Sequence, residues 1–199
     1  MFIDEELFSE VMGDVQKAIE QARKEDNQYN RRSYVRNVFS AIESFTYMFK
    51  SYSINNIASG IYDIGEISLL KEENYRLDSK GKVNSYPRQF SVPENFRFAI
   101  EMMMRGDDKD FKIDVSSNGW RHLKNATKTR NRITHPKNIK DYALSSHDMS
   151  EVLLAFEWVK YNIMRAEARA IEAVCGRIKQ EPGEAYKNII NIMSKYKDI

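Results

Sequence analysis

One short run of residues carries the side chains best suited to chemistry: Arg130-Asn131-Arg132-Ile133-Thr134-His135-Pro136. An arginine can hold a phosphate bidentately and stabilise charge that builds on it. A histidine moves a proton near neutral pH. Arg130 and His135, five positions apart, are a minimal kit for phosphodiester chemistry on RNA. Asn131, a polar residue, follows the arginine directly.

The surrounding charge is lopsided. From Arg121 to Lys140 the chain holds Arg121, Lys124, Lys128, Arg130, Arg132, Lys137 and Lys140 and no acidic residue, although the whole chain carries 31 basic and 29 acidic residues. One reading is a solvated helix face whose last cations favour the helix dipole. The other is a phosphate-binding strip. Composition leaves both open.

Helical periodicity sharpens the position of Arg130. Trp120, Leu123, Ala126 and Thr127 form an apolar side, and Arg130 continues it. A guanidinium facing a packed seam needs a carboxylate, carbonyls or a bound phosphate. His135 would stand about 140° from Arg130 on a continuous helix. Pro136 disfavours α geometry at the residue before it, so the helix should end near Thr134 and free the imidazole to turn back. His135 is then either a proton carrier or a histidine bonding terminal carbonyls. Glu43 lies among Phe39, Ile42 and Phe45. It is either a partner for Arg130 or His135, or an exposed glutamate between core residues. His122 and His147 lack such a context and read as surface or capping residues.

The elements that must position these groups are helical. Phe8, Met12, Val15, Ile19 and Ala22 form one stripe within a helix from about Phe2 to Lys24. Val35, Val38, Ile42, Phe45 and Phe49 form another between Asn30 and Ser51. A third helix is predicted over Asn55 to Asn74, weakened by Gly60 and Gly65. The polar stretch from Tyr75 to Val92 reads as a long loop or excursion. Pro93 opens a short helix carrying Phe96, Ala99, Ile100 and Met103, and Gly106-Asp107-Asp108 closes it.

Phe111 to Val115 alternates but is too short and isolated to demand a sheet. Ser116, Ser117 or Asn118 caps the helix bearing the motif, and Ser145 or Ser146 introduces the longest one. Pro182-Gly183 should stop that helix ahead of a last one over 183–197, with Tyr186, Ile189, Ile190 and Met193. Met102, Met103 and Met104 read as core filler. Tyr29, Tyr34 and Tyr47 read as core or interface, although such rings can stack bases. The expected architecture is a single all-α domain over 1–199, an antiparallel helical bundle with one long late helix.

Bulk properties exclude several classes. A net charge of +2 rules out a polycation that binds nucleic acid by total charge. One cysteine, Cys175, cannot form an internal disulfide, and no Cys/His cluster has zinc spacing. No cofactor motif and no metal-ligand pattern is present. No apolar run approaches membrane-spanning length, and Met1 to Glu10 carries acids instead of a basic leader, so a cytoplasmic protein without a membrane partner is expected. A DNA-binding regulator is disfavoured, because no helix-turn-helix signature is evident and the basic strip leads into His-Pro.

The run from Arg130 to His135, its polar second residue and the trailing Pro136 resemble the R-x4-6-H signature of HEPN domains. The stretch Tyr34 to Phe45 looks like the HEPN helix that carries an acidic residue, here Glu43, in an apolar run. The resemblance covers about Tyr29 to Ser51 and Gly119 to Arg165. The 75–92 excursion matches no HEPN feature. The resemblance implies a metal-independent endoribonuclease, often a toxin or antiphage effector, acting as a homodimer with a composite site. It implies Arg130 and His135 as the catalytic pair, Asn131 orienting the imidazole or a phosphate oxygen, Arg132, Lys128, Lys124 and Lys137 as RNA-binding cations, RNA as substrate and 2′,3′-cyclic phosphate products. An antitoxin or another regulatory partner is compatible with it. The alternative is a non-catalytic helical module of the same type that binds RNA, a nucleotide or a partner protein.

Overall fold

Asn27 turns the chain from its first helix into its second, and its side-chain oxygen accepts from Asn30 N at 2.9 Å. The computed structural model describes residues 4–180. Helix α1 (Glu5–Lys24) starts at an Asp4 cap, with Glu5 and Glu6 in its first turn and Arg23 and Lys24 in its last. That charge order complements the helix dipole. Helix α2 (Gln28–Asn55) is the central element. Val35, Val38, Ala41, Ile42, Phe45 and Phe49 are all fully buried along it, and it packs against α1 and every later long helix.

The predicted third helix is broken in two. Gly60 adopts φ +74 and ends a 3₁₀ turn at Ile57–Ser59. Asp63 and Glu66 then form a capping box that starts the seven-residue helix α3 (Ile64–Leu70). The apolar spacing was helical, but a left-handed glycine and a new cap divide it.

The stretch expected as a loop is a β-hairpin. Strands β1 (Glu73–Leu77) and β2 (Val83–Pro87) pair antiparallel, with Glu73 opposite Pro87 and Leu77 opposite Val83. At the turn, Asp78 Oδ1 accepts from Lys80 N and Lys82 N, both at 2.9 Å, and Gly81 takes φ +76. Those bonds hold the Asp78 carboxyl below its ordinary pKa. Most of the strand residues are exposed, so the hairpin leaves no apolar period in the sequence to read. The described fold is therefore mostly helical with one small sheet, not strictly all-α.

Helix α4 (Val92–Met103) begins at Ser91 with Pro93 in its first turn, and Met102, Met103 and Met104 are buried. The segment after it stays irregular while Phe111 and Ile113 fill the core. Helix α5 (Asn118–Thr134) carries the motif. Helix α6 (Ser146–Gln180) runs 35 residues, about 50 Å at 1.5 Å per residue. Ser145 caps it, accepting from Asp148 N at 3.1 Å. No described helix is long and apolar enough to cross a membrane. The expected last helix over 183–197 lies outside the described residues.

Candidate active site

Helix α5 is clamped at both ends. At its start Ser117 Oγ accepts from Trp120 N, and Gly119 lies against the Trp158 indole so closely that a Cβ there would overlap the ring. Trp120 meets Trp158 edge-on at 6.0 Å between ring centres. Leu123, Ala126, Thr127 and Ile133 are buried below. At its end the helix stops at Thr134, as Pro136 requires, and His135 is the C-cap with φ −126 and ψ 60.

Arg130 faces the seam with α2, and Glu43 meets it there. Arg130 Nη2 donates to Glu43 Oε1 at 2.6 Å, and Nη1 donates to Asn131 Oδ1 at 3.2 Å. The arginine side chain is 28% exposed and that of Glu43 48%, so the guanidinium is anchored yet still open to a ligand. Thr134 Oγ1 donates to Arg130 O at 2.8 Å and firms the last turn.

His135 is exposed. Its backbone N–H donates to Asn131 O at 3.0 Å. Among the described residues its imidazole makes no hydrogen bond or ion pair, neither with Arg130 nor with terminal carbonyls. The ring sits one residue past the helix that holds Arg130 and Asn131, at the surface.

The cations of the strip separate into three groups. Arg132 is committed to architecture: Nη1 donates to Ala143 O at 2.7 Å and Asp141 O at 3.3 Å, and Nη2 bonds Asp148 Oδ1 at 2.9 Å. It ties the loop after the motif to the start of α6. Lys124 and Lys128 are exposed, but at 100° per residue they lie about 120° and 160° round α5 from Arg130. They face away from the seam. Lys137 is exposed on the rim of a shallow groove of about 570 Å³, lined also by Arg36, Thr134 and Tyr142.

Three arginines of α2 that the sequence did not single out fasten the loop after the motif, and one of them, Arg36, lines this groove. Arg31 Nη1 donates to Leu144 O at 2.7 Å, and Arg32 Nη1 donates to Tyr142 O at 3.1 Å. Arg32 also lies 4.0 Å from the centre of the Tyr142 ring. Arg36 Nη2 donates to the Tyr142 hydroxyl at 3.0 Å, a bond that lowers the phenol pKa. Their only sequence signal is the basic cluster Arg31, Arg32 and Arg36 at the head of an otherwise apolar helix.

His122 departs from its expected surface role. It is half-buried, and Nδ1 lies 3.0 Å from Glu151 Oε2 between α5 and α6. His147 is exposed, as expected. Tyr34 is core, whereas Tyr29 and Tyr47 are each 70% exposed. Among the described residues no group of three or more His, Cys, Asp or Glu side chains is placed to hold a metal ion.

No protein-family model, curated protein or solved structure matches this chain.

Proposed function

We infer that this protein is a metal-independent endoribonuclease of HEPN type, a toxin or antiphage effector of the cytoplasm. The observation that carries the reading is the Arg130–Glu43 pair on a helix that ends at His135, which is exposed and whose imidazole has no hydrogen bond or ion pair among the described residues. Glu43 fixes the guanidinium at the seam. The remaining donors of Arg130 address a phosphate.

A single protomer supplies one imidazole to this site, whereas cleavage by transesterification uses a base and an acid. A homodimer places two Arg130–His135 sets in one cleft. One His135 takes the proton of the ribose 2′-hydroxyl as that oxygen attacks phosphorus. The other protonates the departing 5′-oxygen as the P–O5′ bond breaks. Arg130 stabilises the charge on the phosphorane. The products are a 2′,3′-cyclic phosphate and a 5′-hydroxyl. DNA lacks the nucleophile and survives. Arg36 and Lys137 line a groove bordered by Thr134 and Pro136, the chain neighbours of His135, and in this reading take neighbouring phosphates. An antitoxin or regulatory protein would act by covering this surface.

One observation favours a non-catalytic RNA- or protein-binding module. Glu43 already pairs with Arg130, so the arginine has an architectural use without any phosphate. Purified protein incubated with total RNA in excess EDTA, beside His135→Ala, separates the two. Cyclic-phosphate ends from the wild type alone support the enzyme. Intact RNA in both, with both folded, supports the module.

A further inference from the structure

Helix α6 packs on the rest of the chain along one side. Val152, Phe156, Val159, Ile163, Ala166 and Ala170 are buried where it meets α5 and α2. On the opposite side Leu154, Tyr161, Met164 and Ile171 are 47–67% exposed. Four large apolar side chains along one helix face form a patch, unlike the scattered single ones of an ordinary surface. Their steps of seven, three and seven are those of a heptad seam, the pattern by which one helix packs on another. Ser150, Glu157, Ala168 and Cys175 fill the seam positions between and beyond them.

The spacing selects the occupant. Its steps read the same in both directions about a point between Asn162 and Ile163. A two-fold contact sets residue i on j and j on i. A second α6 laid antiparallel therefore puts Leu154 on the partner's Ile171 and Tyr161 on the partner's Met164, each twice. Glu157 meets the small side chain of the partner's Ala168, and its own carboxylate already accepts from Lys160 Nζ at 2.8 Å. Charge on the flanks selects the direction. Lys160 and Glu167 each stand one residue ahead of a seam position, on one flank; Arg165 and Glu172 each stand one residue after, on the other. An antiparallel pair joins like flanks, so Lys160 faces the partner's Glu167. A parallel pair joins unlike flanks and would oppose Lys160 to Arg165 and Glu167 to Glu172, both repulsive.

We propose that two copies of this chain pair antiparallel along the exposed face of α6, with the two-fold axis between Asn162 and Ile163. This contact is separate from a composite Arg130–His135 cleft. Arg132 holds the loop after the motif at Asp148. At 1.5 Å per residue the two Asp148 residues stand roughly 40 Å apart across the axis. The pairing is thus independent of the endoribonuclease reading, and where both contacts form the assembly is larger than a dimer. One helix face per protomer is a small interface, so association in the micromolar range is expected.

Sedimentation of the full chain across that range, with thiol cross-linking, tests this. Wild type should associate, and Met164→Lys, at an exposed position, should halve the mass of the assembly while the melting temperature of dilute protein stays unchanged. Ser150→Cys reads the register. The thiol it introduces lies against the partner's Cys175, which is exposed, whereas positions 150 and 175 of one chain are about 38 Å apart along α6. Mild oxidation should give a reducible dimer linked from position 150 to Cys175, and wild type should give none. A monomer at every concentration overturns the pairing and leaves the stripe to another occupant. Association that survives Met164→Lys without the 150-to-175 link overturns it too, and is what a composite cleft alone predicts. Links joining Cys175 to Cys175 overturn the antiparallel direction.

Discussion

Arg130 and Glu43 lie 87 residues apart in sequence and meet at 2.6 Å across the α5–α2 seam. The pair gives the arginine a fixed direction while leaving part of it open to a ligand. Exposed or half-exposed ion pairs contribute about 0–1 kcal/mol to stability. Glu43→Gln should therefore leave the melting temperature within a few degrees of wild type while lowering RNA cleavage about tenfold. Arg130→Ala should abolish cleavage. A melting temperature that collapses in Arg130→Ala, with no activity in the wild type, would assign the pair to architecture alone.

His135→Ala should cost roughly 10²–10⁴ in cleavage rate, the usual range for a general acid–base group. It should leave stability unchanged, because the imidazole makes no hydrogen bond or ion pair among the described residues. Parallel rate and thermal-melt measurements check both halves. A large loss of stability would show that the ring is a structural cap.

Arg132→Ala removes three contacts that fasten the loop after the motif. Hydrogen bonds involving charged groups are worth about 1.5–3 kcal/mol each, less where solvent reaches them. The expected cost is a few kcal/mol in denaturant titration, with cleavage falling because the loop after the motif loosens. Arg132→Lys should recover only part of this, since an ammonium cannot span both carbonyls and Asp148.

The same anchor predicts a pH dependence. Burial raises the Asp148 carboxyl pKa, but hydrogen bonds from Ser145 and the charge of Arg132 outweigh it, and the net shift is downward. A depressed folded pKa means that the stabilisation is fully present above the unfolded value, about 3.9. It is lost as pH falls through the lower folded value. The melting-temperature gap between wild type and Asp148→Asn should be constant above about pH 5 and close below pH 4. A gap that persists at pH 2 would remove Asp148 as its source.

Lys124 and Lys128 face away from Arg130, so their joint replacement by Gln should spare cleavage of a short oligonucleotide. If long RNA wraps α5, the same change should reduce the salt slope of its binding by about two. Gly119→Ala offers a control on the frame. Its Cβ would overlap Trp158, and overpacking of that kind costs about 1–3 kcal/mol. Thermal melting reads it directly.

Much of this protein is written in local sequence. Apolar stripes placed α1, α2, α4, α5 and α6, and the candidate caps Ser116 to Asn118 and Ser145 or Ser146 bracketed two of their starts, which the structure puts at Ser117 and Ser145. Pro136 set the end of α5 at Thr134, because a residue before proline resists α geometry. The motif and the need of Arg130 for a partner were legible for the same reason: helical period says which face a residue occupies. The hairpin was not legible, since its ladder is made by main chain and an Asp78 turn and buries little. Tertiary structure alone decided which carboxylate answers Arg130 and that Arg132 serves the loop. Those pairings join residues far apart in the chain. Only the packing of α2 against α4 and α5 sets which long-range partners come within hydrogen-bond reach.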